Sequence, residues 1–199
     1  MISICIPIYN FQVIDLVTEL GHQAQQLNIN YEIICIDDAS EKKWKEKNKS
    51  LNDLSNVHYH ELESNVGRSK IRNLLAQKSK FELLLFMDCD SAILSNKYLS
   101  NYLKNLDLIG VVYGGRAHDN TLPKNKSFYL RWLYGKKRED QSVSQRKESP
   151  YLSFKSNNFL ISKKTLLNNQ FNESFIGYGH EDTLFAQQLK ENEITIHHI

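Results

Sequence analysis

Leu83-Leu84-Leu85-Phe86-Met87-Asp88-Cys89-Asp90 is an apolar run that ends in two acids. A run of this length reads as a strand covered on both faces, as in a mostly parallel sheet. Asp88 and Asp90 stand i, i+2, and in a strand those positions share a face. The run therefore delivers two carboxylates side by side to the strand's C-terminal end. In open α/β sheets that edge is where ligands bind. Two hard oxygen ligands there suit Mg²⁺ or Mn²⁺, usually shared with substrate phosphates. A polar turn would use the same residues, so the pair takes its meaning from the rest of the chain.

On either side of this run, strand and helix patterns alternate. Ile2 to Ile8 reads as a first strand, with Pro7 near its end. Val13, Ile14, Val17, Leu20 and Leu27 recur at helical spacing within Phe11 to Leu27. Tyr31 to Ile36 is a second buried strand, Glu41 to Leu54 a polar surface helix, and Val57 to Leu62 a short strand. Gly67 to Lys80 is a helix with Ile71, Leu74 and Leu75 on one face, and another helix near Asn96 to Leu106 precedes a strand over Leu108 to Tyr113. This alternation implies an α/β fold, a Rossmann-like, mostly parallel sheet flanked by helices, in a single domain. Beyond Arg116 the pattern loosens. Lys136 to Glu148 is charged and poor in apolar residues, which predicts a mobile, solvated loop, with a lid over the donor or contact with an anionic membrane surface as the alternatives. Trp132, Leu133 and Tyr134 before it read as packed core, with an acceptor platform as the alternative. Ser156 to Ser162 reads as a strand, Thr183 to Glu191 as a helix, and Ile194 to Ile199 as a last strand. An ending on a strand predicts that the chain is part of a longer protein.

Composition narrows the function classes. The chain has 199 residues and a formal net charge of +2, too small a balance to argue for nucleic acid. No apolar run approaches the roughly 20 residues that span a bilayer, and no basic segment precedes the first strand as a signal peptide would require. Cys5, Cys35 and Cys89 sit in strand-like runs and read as buried, reduced thiols of a cytoplasmic protein.

More acids mark other strand and helix ends. Asp37 and Asp38 follow the second strand, with Ser40 behind them. They could bond a base or a ribose, or serve as an Asx-turn or helix cap. Asn65-Val66-Gly67-Arg68 opens a helix on which Arg68 and Arg72 stand i, i+4. A helix start with guanidinium groups suits a diphosphate. Gly177-Tyr178-Gly179-His180-Glu181-Asp182 precedes another helix. An acid there can act as a general base or as a helix cap.

Taken in order, Pro7-Ile8-Tyr9-Asn10, Asp37-Asp38-x-Ser40, Asn65-x-Gly67-Arg68-x-x-x-Arg72-Asn73, Asp88-x-Asp90 and Gly179-x-Glu181-Asp182 resemble the family 2 glycosyltransferases of the GT-A fold, bacterial capsule and exopolysaccharide enzymes above all. The resemblance covers almost the whole chain. It implies an inverting transfer of a hexosyl or N-acetylhexosaminyl group from a UDP-sugar to a hydroxyl of a glycan or lipid-linked acceptor. It implies a nucleotide-binding half over 1–115 and an acceptor half over 116–199. Pro7, Tyr9 and Asp38 would line the nucleoside pocket, with Arg68 and Arg72 near the diphosphate. Asp88 would touch ribose or a metal-bound water, and Asp90 would ligate Mn²⁺ or Mg²⁺. Gly115 and Asn158 would line the sugar pocket, with Gly114, Arg116 and Asn157 beside them. Asp182 would be the base and Glu181 would position a sugar. His198 would be a third metal ligand. Membrane association at the inner face would come through other segments or partners. A sugar nucleotidyltransferase would instead need a Gly-rich, Arg-bearing loop where Tyr9 to Gln12 stands, and a non-catalytic nucleotide-sugar binder is the other alternative.

Overall fold

The computed structural model describes residues 1–174 and 179–199. Strands β1 (Ile2–Ile8), β2 (Tyr31–Asp37), β3 (Val57–Glu61) and β4 (Leu83–Met87) run parallel. They alternate with helices α1 (Ile14–Gln26), α2 (Lys42–Asn48) and α3 (Arg68–Lys78). After α4 (Tyr98–Leu103) come β5 (Val111–Tyr113), α5 (Tyr129–Tyr134), α6 (Val143–Glu148), α7 (Pro150–Ser153), β6 (Asn158–Ser162), α8 (Lys163–Asn168), α9 (Glu181–Glu191) and β7 (Ile196–His198). The strand order is β3-β2-β1-β4-β6-β5-β7. Strand β6 runs antiparallel to both β4 and β5, and β7 is parallel to β5. Together these elements make an α/β fold with a mostly parallel seven-stranded sheet and helices on its faces.

Strand β4 is covered on both faces, as its unbroken apolar run requires. Leu85 and Met87 join one hydrophobic layer with Ile4 and Ile6 of β1 and Val17 and Leu20 of α1. Leu84 and Phe86 join the other layer with Leu75 of α3, Phe159 of β6 and Phe185 of α9. Phe86 and Phe159 stack at 4.9 Å between ring centroids. Each such buried side chain contributes roughly 1.5–3 kcal/mol. The apolar layers run up to the sheet's C-terminal edge and hold the loops there in place.

Three expectations change. The strand stops at Met87, and the Ser91 amide donates to the Asp88 carbonyl at 3.1 Å, so Asp88 and Asp90 share a turn rather than a strand face. Asp88 is half-buried and Asp90 exposed. The segment expected to be a mobile loop is largely helical: α5 runs into a π-helical turn at Gly135–Glu139, and α6 follows. Helix α6 starts on a reciprocal Ser142/Gln145 capping box. Trp132 and Leu133 are only half-buried and Tyr134 is exposed, so they are not core. Cys5 and Cys35 are buried and free, with the Cys5 thiol pushed up to about 12 by burial. Cys89 is free but lies within the 88–91 turn and is only half-buried, short of the burial expected of it. Among the described residues no helix is long and apolar enough to cross a membrane.

Candidate active site

The parallel strands end at a cleft of about 1580 Å³. Asp88 and Asp90 after β4 line it, as do Arg68 at the start of α3, Glu181 and Asp182 at the start of α9, and Gly115 and Asn158. Residues more than a hundred positions apart in sequence thus face one space. Pro7, Tyr9, Asp38 and Arg72 lie at the same sheet edge but do not line the cleft itself.

Helix α3 carries the first set of contacts. Gly67, at φ 84°, makes a backbone turn that a side chain would strain. The two carboxylate oxygens of Asp38 accept the backbone N–H groups of Val66, at 2.7 Å, and Gly67, at 3.0 Å. Burial raises the Asp38 pKa, and these two bonds oppose the rise. Each oxygen retains a second lone pair for a ligand. Asp37 is a turn anchor, accepting from the Ser40 amide at 2.7 Å and the Tyr59 hydroxyl at 3.3 Å.

Arg72 does not reach into the cleft. It is 2% exposed, its Nη2 donates to Asp88 Oδ1 at 2.7 Å, and its Nη1 donates to the Arg68 carbonyl at 3.1 Å. Its influence on a ligand therefore passes through Asp88. Burial raises the Asp88 pKa, the Arg72 guanidinium works against that rise, and the Asp90 charge adds to it. One turn earlier, Arg68 Nη1 donates to Glu181 Oε1 at 3.2 Å and ties α3 to the start of α9. The neighbouring Asp182 keeps Oδ1 buried, without a hydrogen-bond partner among the described residues. A buried acceptor without a partner is costly, and it suits a ligand that brings a proton. Gly177 and Tyr178 of the preceding motif lie outside the described residues.

The Asn158 carboxamide is already occupied. Its Oδ1 accepts from Tyr98 at 2.5 Å and Tyr102 at 2.6 Å, and its Nδ2 donates to the Gly115 carbonyl at 3.1 Å. Gly115 sits at φ 76°, where a Cβ would strike the Arg146 guanidinium. Asn158 therefore shapes the wall by holding Gly115. Sequence reading missed Tyr98 and Tyr102, whose i, i+4 spacing on α4 was the available signal.

His198 does not join the carboxylates. Its Nδ1 accepts from Arg146 Nε at 3.3 Å, its Nε2 lies 3.0 Å from the Pro150 carbonyl, and the ring is 2% exposed. With both ring nitrogens engaged it offers no lone pair to a metal. Burial lowers its pKa, the Pro150 bond opposes this, and the Arg146 and Lys147 charges add to it. Among the described residues no three His, Cys, Asp or Glu side chains converge on a metal position.

The second group that sequence reading missed stands in the arm over 116–140. Glu139 binds Arg116 at 2.7 Å and Arg131 at 2.7 Å. Asp140 binds His118 at 2.6 Å and Lys136 at 2.7 Å. Burial works to raise the Glu139 carboxyl, but the Arg131 and Arg116 guanidinium groups outweigh it and hold it low.

A family model described as glycosyl transferase family 2 matches residues 3–170. The chain belongs to glycosyltransferase family 2. Its fold is shared with solved structures. The S. aureus TarS 1-349 crystal structure aligns at TM-score 0.68 and 20% identity, covering 100% of this chain and 57% of that one. TarS 1-349 in complex with UDP-GlcNAc aligns at TM-score 0.66 and 21% identity, over 100% of this chain and 55% of that one. The Pyrobaculum calidifontis mannosyltransferase PcManGT in complex with GDP-Man and Mn²⁺ aligns at 0.61 and 16% identity, over 100% and 54%. The chain thus spans a little over half the length of these proteins. No curated protein sequence matches it.

Proposed function

We propose that this family 2 chain transfers a sugar from a UDP-sugar to a hydroxyl of a glycan or lipid-linked acceptor, with inversion at the sugar carbon. The observation that carries the reading is Asp182: it lines the same cleft as Asp88 and Asp90, and one of its carboxylate oxygens has no hydrogen-bond partner among the described residues. Donor residues at the sheet edge and a proton acceptor at the start of α9 suit a single displacement. The Asp182 carboxylate takes the proton of the attacking hydroxyl. The new C–O bond forms as the bond to the diphosphate breaks on the opposite side. Holding donor and acceptor in one cleft supplies a large share of the rate. Glu181, fixed by Arg68, positions a sugar. Pro7, Tyr9 and Asp38 take the nucleoside. In this reading 1–115 is the donor half and 116–199 the acceptor half.

The residues fit a divalent cation in part. Asp90 raises the Asp88 pKa, a repulsion that a cation between them would relieve. Asp90 and Asp88 would hold it, with phosphate and water oxygens completing the set. Bound there, it would neutralise charge on the departing nucleotide. The UDP-GlcNAc complex of TarS and the Mn²⁺ of PcManGT support this choice of donor and metal.

Calorimetric titration of UDP with and without Mn²⁺ tests the donor site. Metal-dependent binding, lost in Asp90→Ala, is expected. Asp182→Asn should keep UDP binding and lose transfer by about 10²–10⁴-fold. Undiminished transfer by Asp182→Asn would overturn the base assignment, and UDP binding with no transfer by the unaltered protein would leave a non-catalytic nucleotide-sugar binder.

A further inference from the structure

The arm that borders the cleft has an outward side with a different chemistry. Between Asp119 and Glu139 lie six cations, Lys124, Lys126, Arg131, Lys136, Lys137 and Arg138, and no acid. The rest of the chain carries 19 Lys and Arg against 23 Asp and Glu, so the basic character of the protein is concentrated here. Arg131 and Lys136 are paired to Glu139 and Asp140. Lys124, Lys126, Lys137 and Arg138 have no carboxylate partner among the described residues, and all four are exposed.

Large apolar side chains are exposed among them. Leu130 is 76% exposed, Phe128 61%, Leu122 64% and Tyr134 57%. Leu130 and Lys137 stand i, i+7 along a continuous helical run, which places them on one side away from the cleft, with Tyr134 between them at the cleft rim. Leucine and aromatic rings beside unpaired Lys and Arg suit the boundary of an anionic bilayer, where rings enter the headgroup layer and cations meet lipid phosphates. A soluble polyanion would use the charges but would leave Leu130 and Phe128 in water.

We infer that the outward side of the 122–138 arm docks the protein on an anionic lipid surface. Arg131, Tyr134 and Lys136 on the same arm line the cleft, so docking brings the cleft mouth to headgroup level. Binding itself stands apart from the transfer reading; its consequence, access to a lipid-linked acceptor, rests on that reading.

Co-sedimentation with phosphatidylglycerol/phosphatidylcholine vesicles, against pure phosphatidylcholine, tests this at about 0.1 M salt. Binding to the anionic vesicles alone is expected, weakening as salt rises. Two doubly substituted proteins, Phe128→Ser/Leu130→Ser and Lys137→Glu/Arg138→Glu, should each lose at least about tenfold in partitioning. Neither pair lines the cleft, so an unchanged Tm and unchanged UDP titration show that fold and donor site are intact. No anionic-vesicle binding by the unaltered protein would overturn the inference. So would full binding by both variants, or capture by heparin with none by vesicles, which would make the arm a soluble-polyanion site.

Discussion

Two arginines one turn apart on α3 do different work. Arg68, half exposed, holds Glu181 across the cleft. Arg72, buried, holds Asp88 from behind. The side chains are the same, and depth alone separates a group at the cleft surface from one that acts through its partner. Asp88, Asp90, Glu181 and Asp182 could be read as site residues because acids at strand and helix ends are rarely needed for packing. Arg72 and Asn158 were named as ligand contacts, yet each is taken up by protein groups, a property that depends on neighbours remote in sequence. His198 shows the same limit and supports a prediction. Its pKa lies below the unfolded value of 6.5, so near and below that pH the unfolded chain binds more protons than the native one. The stability it contributes is present above pH 6.5 and is lost as pH falls through 6.5 toward the native value. Urea midpoints should therefore fall between pH 7.5 and 5.5, and His198→Gln should show a shallower fall over that interval. An equal slope in the two proteins would refute the assignment.

The arm over 116–140 is held by charge more than by apolar packing. Only its last residues belong to the Lys136 to Glu148 stretch, which is charged and poor in apolar residues and for that reason reads as a loop. In the structure Glu139 accepts from both Arg116 and Arg131, while Asp140 gathers His118 and Lys136. Lys136–Asp140 is an i, i+4 pair, but the other three close loops of eight to twenty-three residues, beyond the reach of a pattern read along the chain. The lone acids after the Lys136–Arg138 run were the available signal. Glu139→Gln should loosen this element without unfolding the sheet. Trypsin should cut within the arm several-fold faster, with Tm lower by no more than a few degrees, since half-exposed ion pairs contribute about 1 kcal/mol or less each. Limited proteolysis read by mass spectrometry checks this, and cleavage at the unaltered rate would mean that the pairs do not hold the arm.

Across the whole molecule, the aromatic layer beneath β4 and β6 joins the strand ends at the cleft to helix α9. Phe159 lies against Phe86, Phe154, Phe171 and Phe185, and Phe185 belongs to α9 with Glu181 and Asp182. Phe159→Ala should cost about 3–5 kcal/mol, a Tm fall on the order of 10 °C, and should weaken transfer more than UDP binding because α9 loses its support. Thermal melts followed by UDP titration of the folded variant check both parts. The alternating patterns were enough to read the parallel strands, their covered faces and the acids at their ends, because burial on two sides forces unbroken apolar runs and ligand edges tolerate polar termination. The antiparallel insertion of β6 between β4 and β5, the helical arm, and the partners of Arg72, Asn158 and His198 came only with the assembled structure. Each rests on contacts between residues far apart in sequence, and such contacts leave no period in the chain.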